Sequence, residues 1–291
     1  MKKSICIWIL LICNVTWVEA QMVSVVQRIT VEKKVPAFYP VFNSDGSELL
    51  YTSENYKGLY LYKLNNKTSL MITDAEGAGY SPDFSQNNDK IYYRSVEREN
   101  MHRQNTLMCY DRQLLQSKNC MNSPVRLQSE LNKVRMGLEF KGKESINAYT
   151  EKLQLIVERN GDRKVLEPLS KGSRYLWGSL SPDKTKILFT ATGKGTYICD
   201  LNGKILSEIG YLNAPVWYDD HKIVGMADKD NGDYITESSV VMVSADGKQR
   251  QVLSLFTEIA MYPTTNWKSG KIAYNTLEGE IIVLELSLIH I

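Results

Sequence analysis

Histidine is nearly missing from this chain. Its three copies, His102, His221 and His290, have no spacing that suits a zinc site. Beyond the first residues there is also no run of about 20 apolar residues, so nothing there reads as a bilayer-spanning helix. Neither sign of charge is in excess. The 35 Lys and Arg face 33 Asp and Glu, for a net charge of +2, and no basic cluster is dense enough to hold a nucleic-acid backbone. The stretch 152–164 is basic, but its cations alternate with acids and apolar residues, as on a solvated sheet face. Strongly helical patterns are scarce. Cysteine is sparse: of five, Cys6 and Cys13 fall in the leader, and Cys109, Cys120 and Cys199 remain. The odd count leaves a thiol over in an oxidising compartment. Cys109 and Cys120 flank a hairpin and either pair or, with Cys199, stay as idle thiols.

The two ends read as foreign to the fold. Lys2 and Lys3 precede an apolar run at 5–13, and Val18-Glu19-Ala20 places small residues where a signal peptidase cuts. Residues 1–20 are therefore expected to be a secretory signal, which puts the mature chain in the periplasm or outside the cell. Lipid anchoring through Cys13 is disfavoured because Leu11 and Ile12 are bulky where a lipobox needs small residues. At the other end, Leu286-Ser-Leu-Ile-His-Ile291 resembles the translation of a sequencing-library adapter, the alternative being a terminal strand, since 281–288 alternates. Residues 21–285 are then expected to form a single domain.

A recurring phrase fills that domain. An apolar or aromatic residue leads into a turn of Asp, Asn, Ser, Gly or Lys, and a β-branched or aromatic run follows. The copies are Tyr39-Pro-Val-Phe-Asn-Ser-Asp-Gly-Ser-Glu-Leu-Leu-Tyr51, Ser81-Pro-Asp-Phe-Ser-Gln-Asn-Asn-Asp-Lys-Ile-Tyr-Tyr93, Gly178-Ser-Leu-Ser-Pro-Asp-Lys-Thr-Lys-Ile-Leu-Phe189 and Ala214-Pro-Val-Trp-Tyr-Asp-Asp-His-Lys-Ile-Val224. A phrase returning roughly every 40 to 50 residues signals a radial β array. Six units follow, at 38–75, 79–127, 132–169, 173–209, 213–255 and from 262 onward. The expected fold is all-β, a six-bladed β-propeller. The sixth unit is short of strands and the segment 24–31 has no partner beside it, so the N-terminal strand is expected to complete the last blade and close the ring. Asn160-Gly161 and Asn202-Gly203 predict tight hairpins, and the charged insertion 96–105 a protruding one. Phe42, Phe84 and Trp217 are expected to pack between blades.

At these phrases the chain resembles the TolB-type propeller family, whose turn reads Pro-x-Phe-Ser-Pro-Asp-Gly. The clearest copies are 40–46, 82–89 and 180–184, with partial ones at Pro215 and Trp267, and the resemblance covers 38–284. It implies a binding or scaffold protein of the bacterial cell envelope that recognises a protein, or a glycan, without catalysis. The family's N-terminal α/β domain has no counterpart between the leader and the first unit, so its Tol–Pal role is not implied.

The enzyme readings find little to stand on. A serine hydrolase needs Gly-x-Ser-x-Gly, and the nearest text, Gly79-Tyr80-Ser81-Pro82, lacks the second glycine. Arg135, Arg174, Glu139 and Asp183 lie near blade starts as a glycan-processing channel would require, yet spacing alone does not bring them together. No catalytic residue is assigned. The alternative remains a propeller acting on glycans or peptides, or the propeller part of a longer peptidase. The metal candidate is the loop of Asp228, Asp230, Asn231 and Asp233, whose hard oxygens suit calcium, although it departs from the EF-hand pattern and also reads as an ordinary polar hairpin.

Overall fold

The computed structural model describes residues 22–32, 35–99, 102–121 and 146–288. The leader, with Cys13 and its cleavage site, and residues 289–291 lie outside them. Within the described residues the chain forms six antiparallel sheets, five of them built from consecutive strands and the sixth joining the two ends of the chain, and the whole is a six-bladed β-propeller.

Blade one is β2 (Phe38–Phe42), β3 (Glu48–Thr52), β4 (Leu59–Lys63) and β5 (Thr68–Thr73). Blade two is β6 (Asp83–Phe84), β7 (Lys90–Glu99), β8 (His102–Asp111) and β9 (Gln116–Met121). Blade three contributes β10 (Ile146–Glu151), β11 (Gln154–Arg159) and β12 (Asp162–Leu166). Blade four is β13 (Tyr175–Leu180), β14 (Lys186–Ala191), β15 (Gly195–Asp200) and β16 (Ile205–Gly210). Blade five is β17 (Asn213–Trp217), β18 (Lys222–Asp230), β19 (Ile235–Ser244) and β20 (Arg250–Val252). Blade six is β21 (Ala260–Asn266), β22 (Lys271–Thr276) and β23 (Ile281–Leu288), and its outermost strand is β1 (Val23–Thr30), from the other end of the chain. The closure expected from the unpaired first strand is thus present, with Gln27 opposite Glu285 and Thr30 opposite Ile282. Strand β23 runs on through Leu286 and Ser287, which pair with Val25 and Ser24.

The core is a set of layers between blades, which explains why the middle strands read as apolar on both faces. Strand β3 is buried along its whole length. Phe42 and Tyr51 pack with Ala273 and Val283 between blades one and six, and Phe84 joins Leu50 and Leu61 between blades one and two. Trp217 joins Leu188 and Ile198 between blades four and five. All three aromatics of the recurring phrase therefore lie where the sequence placed them.

The phrase itself is a hydrogen-bonding device. Its first polar side chain accepts the amide five residues on: Asn43 from Glu48 (3.1 Å), Ser85 from Lys90 (2.9 Å) and Ser181 from Lys186 (2.9 Å). Its Asp accepts the amide two residues further, as Asp45 does from Ser47 (2.9 Å) and Asp183 from Thr185 (3.0 Å). Each turn thereby satisfies its own exposed donors. Turns of neighbouring blades are also tied to each other. The Ser44 amide donates to Asn88 (3.1 Å), the Asp183 amide to Asp220 (2.8 Å), Thr265 to the Trp217 carbonyl (2.5 Å) and Asn266 to the Asn43 carbonyl (2.8 Å). The rim where first strands turn into second strands is thus braced at four seams, between blades one and two, four and five, five and six, and six and one.

A second set of bonds fixes the closure. The Gln251 side chain accepts the amides of Met22 and Val23 and donates to the Val23 carbonyl (2.8, 3.1 and 2.8 Å). Arg28 donates to Tyr274 and to Glu258, and Tyr274 donates to Glu258. The insertion in blade two is no separate loop: β7 and β8 simply continue, paired from Lys90 with Asp111 out to Glu99 with His102. No helix among the described residues is long and apolar enough to cross a membrane.

Candidate binding site at the entry rim

In an antiparallel meander the start of the first strand shares a rim with the link between strands two and three. This entry rim lies opposite the braced one, and here blades one, four, five and six share an irregularity. Between Phe38 and Val41, Leu176 and Ser179, Asn213 and Val216, and Met261 and Thr264, one extra residue enters the innermost strand. The residue at the start of each bulge has left-handed backbone: Tyr39 (φ 53°), Trp177 (φ 58°), Ala214 (φ 45°) and Tyr262 (φ 51°). Ser81, just ahead of β6, matches them (φ 53°).

Bulges re-aim side chains and terminate pairing, and this type usually carries glycine at the left-handed position. A non-glycine residue there costs about 1–3 kcal/mol. The next residue is proline at 40, 82, 215 and 263 and glycine at 178. Proline has no amide to leave unpaired where the ladder breaks. Gly178 answers to packing: a Cβ there would meet Leu155, Thr150 and the Tyr149 backbone at 2.8–3.0 Å.

The bulges bring tyrosines from separate blades together. The Tyr39 ring stacks on Tyr56 with centroids 4.6 Å apart and leans on Tyr262 at 4.5 Å. Tyr56 meets Tyr80 edge-on at 5.3 Å, and the Arg94 guanidinium lies 4.5 Å above the Tyr80 ring. Tyr80 and the bulge residue Trp177 of β13 are exposed, and so are Tyr211, Tyr234, Leu255, Phe256 and Leu277 on loops of this rim. Phe256 is 95% exposed. Both Asp228 oxygens accept from the Tyr211 hydroxyl at 3.2 Å, and Asn213 donates to one of them at 3.4 Å.

Three of these phenols are harder to ionise than a free tyrosine. Burial, then the neighbouring Tyr56 and Tyr262, raises the Tyr39 hydroxyl far above its ordinary range, and burial raises Tyr262. Burial and the Asp228 charge push Tyr211 up to about 12. Neutral phenols offer ring faces and hydroxyl donors at physiological pH, but no base. The arrangement suits adhesion and hydrogen bonding, with a carboxylate on one side and a guanidinium on the other.

The calcium candidates lie at the end of the β18–β19 hairpin, also on the entry rim. Asp228 turns to Tyr211 and Asn213. Asp230 accepts the Gly232 amide (2.9 Å), and Asn231 accepts those of Asp233 and Tyr234 (3.1 and 3.0 Å). Among the described residues no three His, Cys, Asp or Glu side chains are grouped as ion ligands. Gly79, of the serine-hydrolase text, serves packing: a Cβ there would meet the Thr52 side chain at 2.1 Å. His221 is in the blade-five turn, on the opposite rim from Ser81, and its amide donates to Asp219 (2.8 Å). Arg174 precedes β13 on the entry rim while Asp183 lies in the turn beyond it, so the two do not converge; Arg135 and Glu139 lie outside the described residues.

Sequence reasoning passed over the tyrosine rim. The available signal was the proline dipeptide that opens four of the units: Tyr39-Pro40, Ser81-Pro82, Ala214-Pro215 and Tyr262-Pro263.

No protein-family model matches the chain. No curated protein matches it either. Solved structures do. TolB from Acinetobacter baumannii is 20% identical, with 75% of this chain covered and a TM-score of 0.49. The tricorn protease is 14% identical, with 88% of this chain covered and a TM-score of 0.50. The Swd1 β-propeller domain of Myceliophteria thermophila is 11% identical, with 91% of this chain and 100% of that domain covered, at a TM-score of 0.53. The alignment spans 54% of TolB and 26% of the tricorn protease, so the chain corresponds to only part of either. At these identities the likeness is one of architecture, and it agrees with the strands and register: the chain is a six-bladed β-propeller.

Proposed function

We propose that this propeller is a non-catalytic binding protein of the bacterial cell envelope, secreted or periplasmic, that holds a protein partner at its entry rim. The observation that carries the reading is the set of left-handed bulges. Strained backbone accumulates at functional sites, and here it sits beneath a continuous group of tyrosines with exposed aromatic and apolar neighbours. Aromatic anchors with polar handles dominate protein recognition. The repeated phrase and the signal-like leader support the envelope assignment, and the phrase's likeness to TolB-type blades supports recognition without catalysis.

A glycan is the second reading of the ligand, favoured by the exposed ring of Trp177, against which a sugar ring would stack. The test is capture from envelope extract on immobilised protein. A single dominant protein should be retained, and retention should fall at least tenfold in the Tyr80→Ala/Tyr211→Ala variant but not in Trp267→Ala, which alters the opposite rim. Capture unaffected by the tyrosine changes would sink the assignment of the rim. Turnover of any member of a glycoside and peptide panel would replace the non-catalytic reading with an enzyme.

A further inference from the structure

Cys109 and Cys120 face each other across adjacent strands, on the side of blade two that turns away from blade one. Cys109 is buried in β8 with Tyr92 and Leu107, and the half-buried Cys120 packs against that group from β9. The register explains the meeting. Lys118 is opposite Cys109 and Asn119 opposite Met108, but the ladder then slips and Leu107 is opposite Met121. Cys120 is the extra residue of that bulge, placed on the Cys109 face.

We propose that this pair is a dithiol that an external disulfide, small-molecule or protein, oxidises to a cross-strand bond stapling β9 to β8. The hydrogen bond with Cys109 favours the Cys120 thiolate; burial opposes it, and Lys118 and Lys90 lie near enough to help. Cys109 is held as a thiol by that same bond and by burial. The Cys120 thiolate, on the less covered of the two residues, therefore attacks one sulfur of the donor, breaking its S–S bond and releasing one thiolate. Cys109 then loses its proton to that thiolate or to water, attacks the Cys120 sulfur and expels the second donor thiol. Two protein thiols have lost two hydrogens, and the donor disulfide has become two thiols. The staple falls where the bulge interrupts the ladder of the blade's outermost strand. Cys199, buried in blade four and pushed up to about 12 by burial and Asp200, takes no part.

The folded chain is exposed to excess oxidised glutathione, quenched in acid, alkylated under denaturing conditions and mapped. The expected product is an intramolecular link between Cys109 and Cys120, with Cys199 alkylated and the β9 amides slowed in hydrogen exchange. Cys109→Ser should stop at a glutathione adduct on Cys120, and Cys120→Ser should leave Cys109 unmodified. A stable adduct on Cys120 in the unaltered chain, a link to Cys199, or no reaction at either sulfur would each overturn the proposal.

Discussion

At the scale of single residues, the left-handed position before each proline separates backbone cost from side-chain gain. Ala214 tests it most directly, being small and buried between blades five and six. Ala214→Gly relieves about 1 kcal/mol of strain and forfeits about 0.8 kcal/mol for one buried methyl, so urea unfolding should find it nearly neutral. Ala214→Val places a β-branched residue where such residues are genuine outliers and should cost about 2 kcal/mol. Equal loss from both would mean that packing alone governs the site. The tyrosines also set an alkaline limit. Burial, then the hydrogen bond donated to Glu158 (2.9 Å), pushes Tyr149 up to about 12. An unfolded tyrosine releases its proton near pH 10, so between about pH 10 and 12 the folded chain holds a proton the unfolded chain has lost. The stabilisation is complete below pH 10 and drains away as pH rises. Melting temperature followed over about pH 9 to 12 should fall more gently in Tyr149→Phe. Apart from the proline that follows most of these positions, none of this was legible beforehand. A left-handed backbone is written plainly when glycine occupies it, and here Tyr, Trp and Ala do.

At the scale of the element, the turn phrase was legible because its chemistry is local. Ser, Asn and Asp at fixed offsets bond amides a few residues away, so each copy carries its own instruction. Ser181 is central to its turn: it accepts the Lys186 amide and donates to Asp183 (2.5 Å). Burial opposes ionisation of Asp183, but the hydrogen bonds from Ser181 and Thr185 outweigh it and hold the carboxyl at about 2. That stabilisation is present above about pH 4 and is lost as the pH falls toward 2. Ser181→Ala should cost about 1 kcal/mol near neutrality and should move the Asp183 midpoint upward, as read by NMR titration. An unmoved midpoint would assign the depression to another partner. The strand lengths of blade two were less legible. The charged insertion at 96–105 reads as a protruding hairpin loop by composition, and cross-strand pairing carries both strands almost to its tip, further than composition shows.

At the scale of the whole molecule, closure was legible by subtraction: one strand too many at the start and one too few at the end. Gln27→Cys with Glu285→Cys should cross-link across the β1–β23 ladder in a background lacking the native thiols. A loop of that length should stabilise the ring by up to about 5 kcal/mol. Absence of a link would mean that the last blade is completed otherwise. Gln251→Ala removes three bonds to the start of β1 at once and should cost about 2–3 kcal/mol in chemical denaturation. The entry rim escaped notice at this scale for a related reason. Its tyrosines are scattered over the chain from 39 to 262 and become neighbours only when the ring is drawn shut.

That same seam bears on how the protein would respond to being stretched. Val23 and Leu288 face each other at one end of the β1–β23 ladder, so tension applied through the two chain ends loads the pairs one after another, like a zipper, instead of shearing them all together. A single molecule held in an optical trap should part at low force along this line first, leaving the other five blades to rupture in later, separate events.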